Sequence, residues 1–229
     1  MSDLSRFLPL SQRGRDDESG VSSDRRAETD AATTAVLALL TSLEPTAWSS
    51  QAQRPGWSVQ DLVAHLAWRM TTERWSRARQ YIALAASGPM LPRDAPRAIA
   101  SRLDLGHDES IDLLRSSLAR TGRRPVADLA AVVIGGFDLA RSTGRDIAFA
   151  AAATGAVALA VGLSASTPVK AVARYRTMVA VDAGWSIGHG PSLRSTAADI
   201  VLFLAGRSTQ APREIDDGPL SPEETMPDA

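Results

Sequence analysis

Residues Arg54 to Leu66, reading RPGWSVQDLVAHL, constrain this chain more than any other stretch, because they fix a turn, a helix start and one histidine in a single register. Pro55-Gly56 is a turn signal. Ser58 then stands at an N-cap position, where its hydroxyl can accept a hydrogen bond from the backbone N–H three residues on. Asp61 occupies the matching capping-box position, and its charge favours the positive end of the helix dipole. Behind that start, Val59, Leu62, Val63, Leu66 and Met70 recur at helical spacing and predict one apolar face. His65 lies on the shoulder of that face. A lone histidine there is ordinarily half-buried and satisfied by one hydrogen bond, with Asp61 one turn back as the available partner.

The rest of the chain arranges itself around this helix. Residues 1–23, rich in Ser, Arg and Asp, read as a tail without sustained period. A first helix is expected over Asp24 to Leu43, with Ala27, Ala31, Val36, Leu39, Leu40 and Leu43 on its apolar side and Glu44-Pro45 closing it. The second is expected to run unbroken from Ser58 to about Ala86, ending near Ser87-Gly88-Pro89. A third helical region covers Ala98 to Arg120, interrupted at Gly106-His107. Pro125 marks the start of a helix over Val126 to Ser142, and Gly144 suits a left-handed C-cap. Ile147 to Ala165 is long enough to be weighed as a membrane span, but its alanines and glycines favour a buried bundle helix. Beyond Thr167-Pro168 the period shifts: Val172 to Val181 is rich in β-formers, and Asp182-Ala183-Gly184 followed by Trp185-Ser186-Ile187 predicts a β-hairpin. A short helix from about Ser195 to Ala205 precedes an acidic, Pro-containing tail at 208–229. The expected architecture is mainly α: a four-helix bundle over 24–166, then a small α/β portion over 167–207.

Composition narrows the chemistry. A net charge of −1 over 229 residues gives no reason to expect nucleic acid or an anionic membrane as partner. The absence of cysteine excludes disulfides, thiolate zinc sites and a cysteine nucleophile, so any thiol chemistry needs a thiol brought from outside. Lys170 is the sole lysine against 24 arginines, and with so many arginines residue type alone singles out none of them. The N-terminus lacks the apolar core of a secretory leader, so a cytoplasmic location is expected.

Three segments resemble one known family. Gly56-Trp57-Ser58-Val59-Gln60-Asp61-Leu62-Val63-Ala64-His65-Leu66 is close to the GW-x-V-x-DL-x-AHL hallmark of the mycothiol-dependent maleylpyruvate isomerases, which lie within the DinB-like superfamily of metal-binding four-helix bundles. Phe137-Asp138-Leu139-Ala140-Arg141-Ser142-Thr143-Gly144 looks like the family's W-D-L-A-x-A-x-G stretch. Ala197 to Arg207 is similar to its C-terminal helix ending in Gly-Arg.

The resemblance implies a DinB-like bundle and a small-molecule substrate, with zinc and mycothiol as cofactors. Zinc in the family is held by the AHL histidine and by a Glu or His followed four residues later by His, a spacing that puts the latter two on one helix face and leaves a fourth corner open. Here His65 fills the first place, while the other two fall on Ala131 and Gly135, which carry no donor. His107 and His189 do not repair the set. The expectation is therefore a metal-free divergent member that binds a small ligand in the bundle cavity, where Gly135, Gly136 and Ala131 leave room. The alternative is an active metal- and mycothiol-dependent isomerase or S-transferase. No catalytic residue is assigned. Arg207 and Trp57 are the candidate substrate-binding residues, Arg207 as a carboxylate clamp or as an ion pair at a helix end. Trp57, Trp68 and Trp75 are candidates for lining a ligand cavity, though large aromatics near bundle core positions ordinarily serve packing. Asp138, Ser58 and Asp61 are assigned structural roles, and Glu73 is a spare carboxylate whose ordinary state is a solvated charge.

Overall fold

The computed structural model describes residues 24–86, 95–212 and 214–215, so the tail expected over 1–23, most of the one expected over 208–229, and the stop at Ser87-Gly88-Pro89 lie outside the described residues. The chain is mainly helical, with a three-stranded sheet before its last described helix. In order it forms α1 (Arg26–Thr41), α2 (Pro45–Trp48), α3 (Val59–Thr71), α4 (Arg74–Ala86), α5 (Ala95–Leu103), α6 (His107–Ser116), α7 (Val126–Thr143), α8 (Ala151–Ser164) and α9 (Thr167–Tyr175). Strands β1 (Thr177–Ala180), β2 (Trp185–Gly188) and β3 (Ser192–Ser195) follow, and then α10 (Ala197–Leu204).

The start of α3 forms as its residues dictate. Gly56 takes φ +76°, and Ala52 N–H donates to the Trp57 carbonyl across the turn at 2.8 Å. Asp61 N–H donates to Ser58 Oγ at 3.0 Å, while Ser58 N–H donates to Asp61 Oδ2 at 2.9 Å, completing a reciprocal capping box. Ser58→Ala is expected to lower stability by about 1 kcal/mol through loss of this cap, read as a fall in midpoint on urea denaturation. The same variant with an unchanged midpoint would show that Asp61 caps the helix alone.

Three elements depart from expectation. The long second helix breaks at Thr72, which is extended at φ −85°, ψ 135°. Along a straight helix Trp68 and Gln80 would stand ~18 Å apart, yet Trp68 Nε1 donates to Gln80 Oε1 at 2.9 Å, so α4 folds back on α3. Arg77 also donates to the Arg69 carbonyl at 2.8 Å, near the C-terminal end of α3. In α1, Ala27 and Ala31 are exposed, and the buried face runs through Thr29, Ala32, Thr33 and Val36. The two buried threonines satisfy their hydroxyls on the carbonyls one turn back, Arg25 at 2.5 Å and Thr29 at 2.8 Å. Finally, Val172 to Tyr175 is helical, not strand. Pro168 in the first turn of α9 presets its φ, and Val169, Val172 and Ala173 share a core-facing side at i, i+3 and i+4, which outweighs β-propensity.

Elsewhere the helical pattern holds. Gly144 ends α7 in the left-handed region at φ +63°. Gly106 stands between α5 and α6, where an interruption was expected. The hairpin forms with β1 and β2 antiparallel, Met178 opposite Ile187, while β3 pairs with β1 in parallel on its other edge. Met178 and Ala180 of β1, Ile200 and Leu202 of α10, and Leu129 and Val133 of α7 belong to one continuous buried core. Among the described residues no single helix is long and apolar enough to cross a membrane.

Candidate functional site

The site lies in the groove between α3 and α7. Gly135 of α7 packs toward Leu66 of α3, so that a β-carbon there would stand 3.4 Å from Leu66 Cδ2. Arg69, further along α3, reaches Ala127 near the start of α7, its Nη2 donating to that carbonyl at 3.1 Å. The two helices therefore run antiparallel, and α8 closes the third side with Ala160, Val161 and Ser164. Together they enclose a cavity of about 380 Å³, within the range of small-molecule sites.

His65 sits midway along this groove, half-buried, edge-on to Trp57 with ring centroids 5.6 Å apart and tilted against Trp68 at 5.5 Å. Its Nδ1 is buried and makes no hydrogen bond. The bond expected from Asp61 does not form; Asp61 Oδ2 instead accepts from the Ser58 backbone N–H and hydroxyl. Burial lowers the His65 pKa to about 3, reinforced by the positive charges of Arg69, Arg54, Arg207 and Arg77. The imidazole is thus neutral at physiological pH.

The polar groups on the wall are mostly guanidinium. Arg54, Arg69 and Arg207 line the cavity with Asp138 as the carboxylate among them. Arg207 Nε lies 3.4 Å from Asp138 Oδ2, joining the end of α10 to α7. Asp138 is buried, and that burial raises its pKa, opposed by Arg207, Arg54 and Arg141. Arg141 pairs in parallel with Asp199 of α10. The Arg54 guanidinium lies over the Trp57 ring at 4.0 Å.

Of the residues singled out in the sequence, His65, Asp138, Arg207, Ala131 and Gly135 all come together on this cavity. Trp57 stands behind His65, fully buried, and is not among the lining residues. Trp68 and Trp75 part company: Trp68 is 4% exposed in a small cluster with Leu84 and Ile99, whereas Trp75 is 82% exposed. Glu73 is exposed in the break between α3 and α4. His107 stacks near Trp48 at the start of α6 and His189 follows β2, so neither lines the cavity. Arg69 and Arg54 were not singled out. Arg69 was readable, since it follows His65 by four residues and an arginine at that spacing on an inward face has a purpose to explain.

A three-ligand zinc centre does not fit these side chains. His65 supplies one donor, the neighbouring wall positions are Ala131 and Gly135, and Asp138 is held by Arg207. Among the described residues no three His, Cys, Asp or Glu side chains converge. The charges nearest His65 are cations, which oppose a further one.

The family model for the mycothiol maleylpyruvate isomerase N-terminal domain matches residues 29–157, more than half of the chain and all of the α3–α7 groove. The chain belongs to this family. A crystal structure of the mycothiol-dependent maleylpyruvate isomerase superposes with a TM-score of 0.50 at 14% identity, covering 93% of this chain and 95% of that one. A histidine-to-alanine variant of that enzyme gives 0.50 at 15% identity with the same coverage. At such identities the likeness establishes a shared fold, not the activity. No curated protein matches the chain.

Proposed function

We propose that this chain is a divergent member of the family that works without the family's metal and binds a small organic molecule in the α3–α7–α8 cavity. In this reading, residues 24–166 form the binding bundle, 167–207 form its α/β support, and the protein acts in the cytoplasm. One observation carries the reading: the cavity keeps the family's histidine but surrounds it with arginines, and offers only Ala131 and Gly135 where two further donors would be needed. Family membership itself favours the competing reading, an active metal- and mycothiol-dependent isomerase or S-transferase.

Elemental analysis of purified protein, with and without His65→Ala, separates the two when paired with calorimetric titration of mycothiol. The expected outcome is substoichiometric zinc in both proteins and no zinc-dependent heat with mycothiol. Stoichiometric zinc that disappears in His65→Ala would overturn the metal-free reading, and neither metal nor mycothiol binding would remove the competing one.

A further inference from the structure

The three cavity arginines differ in what already balances them. Arg207 is matched by Asp138 at 3.4 Å, and Arg54 is stacked on Trp57. Arg69 makes no ion pair among the described residues. Its Nη2 donates only to the neutral carbonyl of Ala127, and its Nε is buried with no hydrogen-bond partner. Asp128, the carboxylate whose charge favours the Arg69 cation, lies 3.9 Å from Arg77. A half-buried guanidinium with an orphaned donor is costly to keep unless something occupies it.

We infer that the cavity takes a small monocarboxylic acid with an apolar body, whose carboxylate is gripped by Arg69. The inference deepens the metal-free reading of this site and rests on it. A carboxylate matches the planar fork of a guanidinium in charge and in geometry. Beyond Arg69 the wall is mostly apolar, with Ala130, Ala131, Ile134 and Val161, and gives an apolar body a matching surface. At the opposite end of the groove Asp138 already pairs with Arg207, so a second anionic group seated there would have to displace that pair. This selects a monoanion over a dianion.

Isothermal titration of the full chain with phenylacetate, with the neutral shape-match phenylacetamide and with the dianion maleate tests the assignment, each run with chelator and again with added zinc. Phenylacetate is expected to bind in chelator, phenylacetamide and maleate much more weakly. Arg69→Gln is expected to weaken phenylacetate by roughly 10- to 100-fold while leaving phenylacetamide unchanged, with Arg69→Lys falling between. Circular dichroism melts check that the variants fold. If Arg69→Gln does not, the acid-against-amide ratio in the native protein and in Arg69→Lys still decides. Absence of phenylacetate binding, equal binding of acid and amide, preference for maleate, or full affinity in Arg69→Gln would each overturn the inference. Binding that requires zinc but still depends on Arg69 would instead overturn the metal-free reading and leave the anchor standing.

Discussion

Acidification from pH 7 to pH 4.5 is expected to cost the fold about 2.5 kcal/mol through His65 alone, at about 1.36 kcal/mol for each pH unit below the ordinary histidine value. The direction follows from which state holds the proton. In the unfolded chain the imidazole titrates near 6.5, whereas in the folded protein it takes a proton only near 3, because burial and the four nearby arginines exclude a further charge. Between those values the unfolded state binds more protons, so stability falls as pH falls and is fully present only above 6.5. Asp138 acts in the opposite sense: its raised pKa means that protonation favours the folded state on acidification. A substitution that cannot titrate isolates the histidine. Urea denaturation of the native protein and of His65→Phe at pH 7 and 4.5 should show the native protein losing about 2.5 kcal/mol more than the variant. Equal losses would mean that His65 is hydrated and titrates normally.

The second large effect is expected at Gly188, where β2 ends against the last turn of α9. Its φ is +105°, and a β-carbon there would lie 2.2 Å from the Arg176 carbonyl oxygen and 2.6 Å from that of Ala173. Both obstacles are backbone, so neither can swing aside. Gly122 supplies a built-in control, since it shares φ +105° but has nothing within 4 Å of the same position. Gly122→Ala should therefore cost only the conformational strain, about 1 kcal/mol, whereas Gly188→Ala should cost about 3–5 kcal/mol from strain and overpacking together. Equal costs in urea denaturation would show that the end of α9 yields without penalty.

What could be read from the residues, and what could not, divides along a physical line. Features set by neighbours in sequence were legible: the Ser58–Asp61 box, the left-handed Gly144, the Asp182–Gly184 turn and the helix start after Pro125. So was the placing of His65, Ala131 and Gly135 at one site, though only by way of the family's pattern; that Asp138 and Arg207 join them was not read. Features set by contacts distant in sequence were not. The break at Thr72 depends on Trp68 finding Gln80, and the helical choice of Val172 to Tyr175 depends on a core that those residues help to close. The expected Asp61–His65 bond is absent, and the Asp61 carboxylate turns to the Ser58 cap instead. Arg69 escaped notice because 24 arginines hide one, although its place four residues after His65 was a readable signal that its burial against the groove then made plain.

Helix α8 has one more consequence. Ala160, Val161 and Ser164 face the cavity, while Gly155 and Gly162, on the other side of the helix, let Trp185 and Ile187 of β2 approach to within 3.4 and 3.1 Å of where side chains would begin. Trp185 Nε1 also donates to Thr154 Oγ1 at 2.9 Å, pinning the strand to the helix. The same rod is thus a wall on one side and a bearing surface on the other. The position of this cavity wall therefore rests on a sheet that contributes no lining residue, and changes in β2 are expected to shift the wall without altering any residue that lines it.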